Sequence, residues 1–197
     1  MAQRVCAPDP LPYRGWMPRQ VISAKVLVTG PPKSGKTTAV VRLVELLRAQ
    51  AVPVGGFVTG EQREDGRRVG FVVRDLAGPS ATLAHEDFNS PVRVGRFGVD
   101  VAGFERVGLP ALRKALAHGR GVVVIDEVAS MELASPAFAG LVEEALASTT
   151  AVVATVHAKS DPFTDSLKRR ADTRVVSVDE ESRDGLPQRL LAMLTSP

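Results

Sequence analysis

One cysteine, Cys6, is all that the 197-residue chain contains. That excludes an internal disulfide and any zinc site built from several cysteines, and it fits a cytoplasmic, reducing setting. Aromatics are scarce too, at 5% with one Trp and one Tyr, which leaves little to stack the bases of single-stranded nucleic acid. No run approaches the roughly 18 apolar residues of a membrane span. The opening MAQRVCAPDP has no apolar central stretch and does not read as a secretory signal. The three histidines, His85, His118 and His157, share no metal-ligand spacing. Net charge is small: 25 Lys+Arg against 22 Asp+Glu leave +3. A pI near 9.3 still raises nucleic acid as a partner. However, Arg4, Arg14 and Arg19 against Asp9 place +2 of the +3 in residues 1–24, leaving +1 for residues 25–197. With 44% hydrophobic residues, most of the chain is too apolar to be disordered.

Residues 1–24 hold Pro8, Pro10, Pro12 and Pro18. Proline fixes φ and lacks an amide donor, so this stretch reads as a loosely ordered leader, with Met17 as a second candidate start. From Lys25 onward strand-like and helix-like segments alternate, giving one domain over residues 25–197. Strands are expected at Lys25–Thr29, Gly55–Thr59, Arg67–Arg74, Val122–Glu127, Ala151–Val156 and Val175–Val178. Helices are expected at Lys36–Arg48, Leu109–His118, Pro136–Leu146, Pro162–Arg170 and Leu186–Leu194. Asp65-Gly66 marks a hairpin turn after the first helix. Residues 75–104 read as loops with one or two short strands. The alternation predicts an α/β fold, a mostly parallel sheet with helices on both faces.

Gly30-Pro31-Pro32-Lys33-Ser34-Gly35-Lys36-Thr37 satisfies every fixed position of G-x-x-x-x-G-K-[ST], between a hydrophobic strand and an amphipathic helix. A loop of this kind curls its amides and the positive end of the following helix toward phosphate oxygens. Lys36 then places an ammonium on the β- and γ-phosphates, the Thr37 hydroxyl coordinates Mg²⁺, and Thr38 adds a hydroxyl and amide near the α-phosphate. Lys33, at a variable position, suits solvent better than chemistry. The plain alternative is a glycine-rich turn, which does not account for the full pattern in this context.

Asp126 and Glu127 close the β-branched run Val122-Val123-Val124-Ile125. In phosphate-loop sheets such a strand is expected beside the loop strand, with Asp126 holding Mg²⁺ through a water and Glu127 orienting or deprotonating the attacking water. This pair favours hydrolysis over transfer to a metabolite. Lys168-Arg169-Arg170, Arg93 and Arg96 are candidate cations for the γ-phosphate, against the simpler reading as solvated charges. His157 stands apart from the other histidines because it follows a strand on the expected active-site edge.

Several stretches together resemble one family, the small stand-alone P-loop nucleoside-triphosphatases first described from thermophiles. They are Gly56-Phe57-Val58-Thr59-Gly60-Glu61-Gln62-Arg63 with Gly66-Arg67-Arg68-Val69-Gly70-Phe71, then Val92–Asp100, Phe104-Glu105 and Leu109–Leu112. Ile125-Asp126-Glu127-Val128 with Met131-Glu132-Leu133, and Glu181 with Arg183, complete the set. The resemblance implies a RecA-like P-loop fold and Mg²⁺-dependent hydrolysis of ATP, GTP and, as further candidates, CTP and UTP, to diphosphate and phosphate. It carries Lys36 and Thr37 over as phosphate and metal ligands, Asp126 as metal support and Glu127 as the base. The chain departs from the family's pattern at Ala129-Ser130, where a Gly-Lys is common, at His157, where a proline is common, and at Ser182, where Asn is common. A nucleotide or metabolite kinase, with residues 56–104 as acceptor site or lid, is the competing enzyme reading. A nucleotide switch without appreciable turnover, or an RNA-associated partner, is the competing non-enzyme reading. Nothing in the sequence demands more than a monomer or weak oligomer, or a membrane.

Overall fold

Val26, Leu27 and Val28 show how the sheet is built. All three are fully buried, and successive strand side chains point to opposite faces. Val26 and Val28 therefore join one core layer and Leu27 the other. The computed structural model describes residues 21–195, so most of the proline-rich stretch, with Cys6, Tyr13 and Trp16, lies outside the described residues. Val21–Ala24 are tied to the domain. The Ile22 amide donates to the Leu194 carbonyl and the Val152 amide to the Ala24 carbonyl, both at 2.9 Å.

Among the described residues, nine strands form one mixed sheet in the order β5-β6-β4-β3-β2-β7-β8-β1-β9. Its parallel block comprises β2 (Val54–Glu64), β7 (Val122–Val128), β8 (Ala151–His157), β1 (Lys25–Gly30) and β9 (Thr173–Ser177). Parallel neighbours need crossovers, and helices supply them. α1 (Lys36–Ala49) and α5 (Leu186–Leu194) cover one face, while α2 (Val101–His118) and α3 (Pro136–Ala147) cover the other. On the second face Phe57, Phe104 and Phe138 pack with centroids 5.1–5.8 Å apart, each pair contributing about 0.5–1.5 kcal/mol beyond area burial. An α/β P-loop fold with helices on both faces is therefore present. No helix among the described residues is long and apolar enough to cross a membrane.

β2 and β3 (Arg67–Asp75) form the expected hairpin. Asp65 and Gly66 both take positive φ, 47° and 77°, as a two-residue turn matched to strand twist requires. Beyond it the antiparallel extension is larger than the sequence suggested. β4 (Ser80–His85), β5 (Arg93–Val94) and β6 (Phe97–Val99) continue the sheet. These segments carry weak apolar alternation, and neighbouring backbone rather than intrinsic pattern places them in the ladder.

Four expectations need correcting. α2 starts at Val101, eight residues ahead of Leu109, despite Gly103, Gly108 and Pro110. The Asp100 side chain caps it, accepting from the Gly103 amide at 2.8 Å. Gly108 is needed there because a Cβ would sit 2.6 Å from the Phe104 ring. Burial of Phe104, Val107, Ala111 and Leu112, at about 1.5–3 kcal/mol per large side chain, offsets the proline. α4 (Pro162–Lys168) stops two residues before Arg170, and β9 starts at Thr173 rather than Val175. Finally, the acidic strand β7 is not beside the loop strand β1. β8 lies between them, pairing Gly30 with His157 and Ile125 with Ala154.

Candidate active site

The phosphate loop connects β1 to α1 at the carboxyl edge of the parallel block, where open α/β sheets bind ligands. Gly35 caps α1 with φ 97°, a left-handed value that glycine adopts without penalty. The first amide to bond back in the helix is that of Ala39, to the Gly35 carbonyl at 2.9 Å. The amides of Lys36, Thr37 and Thr38 occupy the first turn, where a helix has no internal acceptors. These three donors and the helix dipole make an anion cradle. Pro31 and Pro32 have no amide to offer, so the donors come from residue 33 onward. At Gly30 a Cβ would stand 2.8 Å from Ser34 Oγ and collide with the Val178 carbonyl, so only glycine permits the tight return. Ser34 Oγ is buried and has no hydrogen-bond partner among the described residues. Lys33 is exposed with φ 66°.

Lys36 is largely buried. Its Nζ donates to the Gly30 and Pro31 carbonyls at 3.1 and 3.3 Å and lies 3.8 Å from Glu127 Oε1. Asp126 has no exposed surface. It accepts from Thr155 Oγ1 at 2.7 Å, Thr37 Oγ1 at 3.2 Å and the Thr59 amide at 3.4 Å. β8 thus contributes a residue, Thr155, that bridges the gap the intervening strand creates. Burial pushes the Asp126 carboxyl up from the usual range, opposed by these three donors and the Lys36 charge. Burial also raises Glu127, with Lys36 opposing and Asp126 adding to the rise.

Lys36, Thr37, Thr38 and Glu127 line one cleft of about 530 Å³. Asp126 sits behind Thr37 rather than in the cleft. The arrangement fits a divalent ion: a hydroxyl has one proton and two lone pairs, and with the Thr37 proton committed to Asp126 the oxygen is free to coordinate. Among the described residues no group of three or more His, Cys, Asp or Glu forms a self-sufficient metal site.

The comparisons with known proteins fall on this geometry. The family model described as NTPase matches residues 25–191. The chain belongs to this NTPase family. It is 39% identical over 170 residues to the nucleoside-triphosphatase THEP1 of Thermotoga sp. strain RQ2, covering 86% of this chain and 95% of that one. It is 38% identical over 173 residues to the human cancer-related nucleoside-triphosphatase, covering 82% and 91% respectively. The crystal structure of THEP1 from the hyperthermophile Aquifex aeolicus superposes with TM-score 0.77 at 30% identity, covering 86% of this chain and 98% of that chain.

Within this NTPase-family site the structure redistributes the other sequence candidates. Lys168 Nζ donates to the His157 carbonyl and to Asp165, both at 3.2 Å. Arg170 pairs with Asp172, and Arg93 donates to the Phe88 and Arg96 carbonyls. None of these cations lines the cleft. Arg63 and Arg68 of the hairpin do, and the sequence does not single them out because alternating strand arginines look like solvated edge charge. His157 has a buried Nε2 with no hydrogen-bond partner among the described residues, and burial lowers its pKa, with the Lys168 charge adding to that.

Glu132 is the other residue the sequence did not single out for chemistry. It lies in the short 3₁₀ turn Glu132–Ala134, is 3% exposed, and has an Oε2 with no partner among the described residues. Burial, with lesser contributions from Glu127 and Asp126, pushes its carboxyl up to about 8. Unfolding releases a proton between the ordinary value of 4.5 and about 8, so the proton-linked stability is lost as pH rises through that window. In metal-free buffer the melting temperature of the wild type should fall from about pH 5 to about pH 8 more steeply than that of Glu132→Gln. Parallel curves would contradict the assignment.

Proposed function

We propose that the chain hydrolyses the β–γ phosphoanhydride bond of nucleoside triphosphates, giving diphosphate and phosphate with Mg²⁺. ATP and GTP are the first substrates to expect, with CTP and UTP next. We place it in the cytoplasm as a monomer or weak oligomer. A single cysteine supports that location, and the complete site within one chain supports that state. The observation that carries the reading is the convergence of Lys36, Thr37 and Glu127 on one cleft, with Thr37 anchored to buried Asp126.

The loop amides and the α1 terminus hold the phosphate chain, and Lys36 Nζ moves from the Gly30 and Pro31 carbonyls to the β- and γ-phosphate oxygens. Thr37, with Asp126 behind it, would hold a magnesium ion, which would supply charge neutralisation on the phosphates. Glu127, whose carboxylate stands 3.8 Å from that ammonium, accepts the proton of the attacking water. Its raised pKa makes it a better acceptor than an ordinary glutamate. The lid reading of residues 56–104 has less support, because β2 is laddered to β7 over Val54–Val58 and β3, β4 and β6 extend the same sheet.

A nucleotide panel with Mg²⁺ or EDTA tests this. Phosphate and diphosphate should appear in equal amounts, only with metal and without an added acceptor. Pyrophosphate release, or turnover only with an acceptor, would contradict it.

A further inference from the structure

The cleft has a third wall, made by the β2–β3 hairpin. Glu61, Arg63 and Arg68 line the same cleft as Lys36 and Glu127. Glu61 and Arg63 are two residues apart on β2, and Arg63 is paired directly with Arg68 across the ladder. Residues two apart, and residues directly opposite, share a face. All three side chains therefore point to the cleft side, and Arg67 points away, pairing with Glu86. The bulge between Gln62 and Arg63 bends this end of the hairpin, as bulges do where a side chain is re-aimed.

Like charges directly opposite on neighbouring strands are unfavourable, so an Arg–Arg pair there calls for an anion. Glu61 meets part of the need: it pairs with Arg63, and with Arg68 Nη1 at 2.7 Å. One carboxylate against two guanidiniums leaves a net positive charge facing Lys36. Arg68 is also fixed in place, with its guanidinium 5.1 Å from the Phe71 centroid and 5.7 Å from that of Phe97. Its Nε is buried with no partner among the described residues.

We propose that Arg63 and Arg68 are catalytic cations for the γ-phosphoryl group, aimed by Glu61 and engaging its equatorial oxygens as charge spreads in the transition state. This rests on the hydrolytic reading above. In the step a water oxygen–phosphorus bond forms and the bond from γ-phosphorus to the bridging oxygen breaks. The electron pair leaves on the diphosphate and the water proton goes to Glu127. The arginines exchange no proton. They supply fixed charge, as arginines do in other phosphoryl-transfer sites.

The test uses the full chain and the variants R63A, R68A, R68K and R67A. It measures phosphate release together with calorimetric affinity for Mg·ADP, with and without aluminium fluoride as a mimic of the transferring group. R63A and R68A should lose about 100-fold or more in kcat and a similar factor in affinity for the fluoride complex, with ADP affinity within about twofold. R68K should recover less than about a tenth of kcat, because a point charge does not replace a planar fork. R67A should match wild type. The ratio of the two affinities is internal to each variant, and R68K and R63A carry the test if R68A does not fold. Wild-type turnover with R63A and R68A within about threefold in kcat would overturn the inference and spare the hydrolytic reading. Equal loss of both affinities would also overturn it, leaving the arginines as ground-state or structural groups. A wild type that releases no phosphate would overturn both.

Discussion

Replacing Glu127 by Gln should slow turnover at saturating nucleotide by about 100- to 10,000-fold, the range that a positioned general base supplies. The amide keeps the size and much of the hydrogen bonding and removes only the basic oxygen. Binding should change little, because the loop amides, Lys36 and Thr37 are untouched. Stability should not fall: burial already disfavours the Glu127 carboxylate, and Lys36 retains its bonds to the Gly30 and Pro31 carbonyls. Single-turnover phosphate release separates this from a binding defect. A Glu127→Gln variant with wild-type turnover would show that another group activates water.

Lys36→Ala should be comparably severe by a different route. It removes the ammonium proposed to engage the β- and γ-phosphates, and kcat/KM should drop by about 1,000-fold. Both nucleotide affinity and turnover should suffer, unlike Glu127→Gln. A second effect follows from the 3.8 Å pair. Lys36 is the main influence holding the Glu127 pKa down against burial, so without it Glu127 takes up its proton at higher pH. The acid limb of any residual pH–rate profile should move upward. An unmoved limb, measured over the same buffers, would separate Glu127 from the observed titration.

How much of this was legible beforehand varies with the kind of signal. The phosphate loop was, because Gly30, Gly35, Lys36 and Thr37 meet a local backbone requirement fixed within one turn of chain. The Asp65-Gly66 turn was legible for the same reason. Asp126 and Glu127 stood out as acids ending a β-branched run, yet their partners did not. Thr155 reaches Asp126 only because β8 inserts between β1 and β7, and strand order is a property of the whole fold. α2 was shortened in the reading because Gly103, Gly108 and Pro110 each argue against a helix locally. The buried Phe104 face, which overrides them, depends on Phe57 and Phe138 from elsewhere. Which cations line the cleft was hidden for a similar reason. Lys168 and Arg170 are paired with Asp165 and Asp172, and Arg93 donates to the Phe88 carbonyl. Arg63 and Arg68 are aimed into the cleft by hairpin register. The basic pI also changes meaning, since most of the excess charge lies in residues 1–24 and the domain's useful cations are few and placed on one cleft.

Water attacking the γ-phosphorus in the cleft between the phosphate loop, Glu127 and the hairpin would leave its oxygen in the inorganic phosphate. Hydrolysis of Mg·ATP in water enriched in the heavy oxygen isotope tests it most directly. The account predicts one labelled oxygen in the inorganic phosphate and none in the diphosphate, with the labelled product lost in Glu127→Gln. Label in the diphosphate, or in released pyrophosphate or monophosphate, would contradict it.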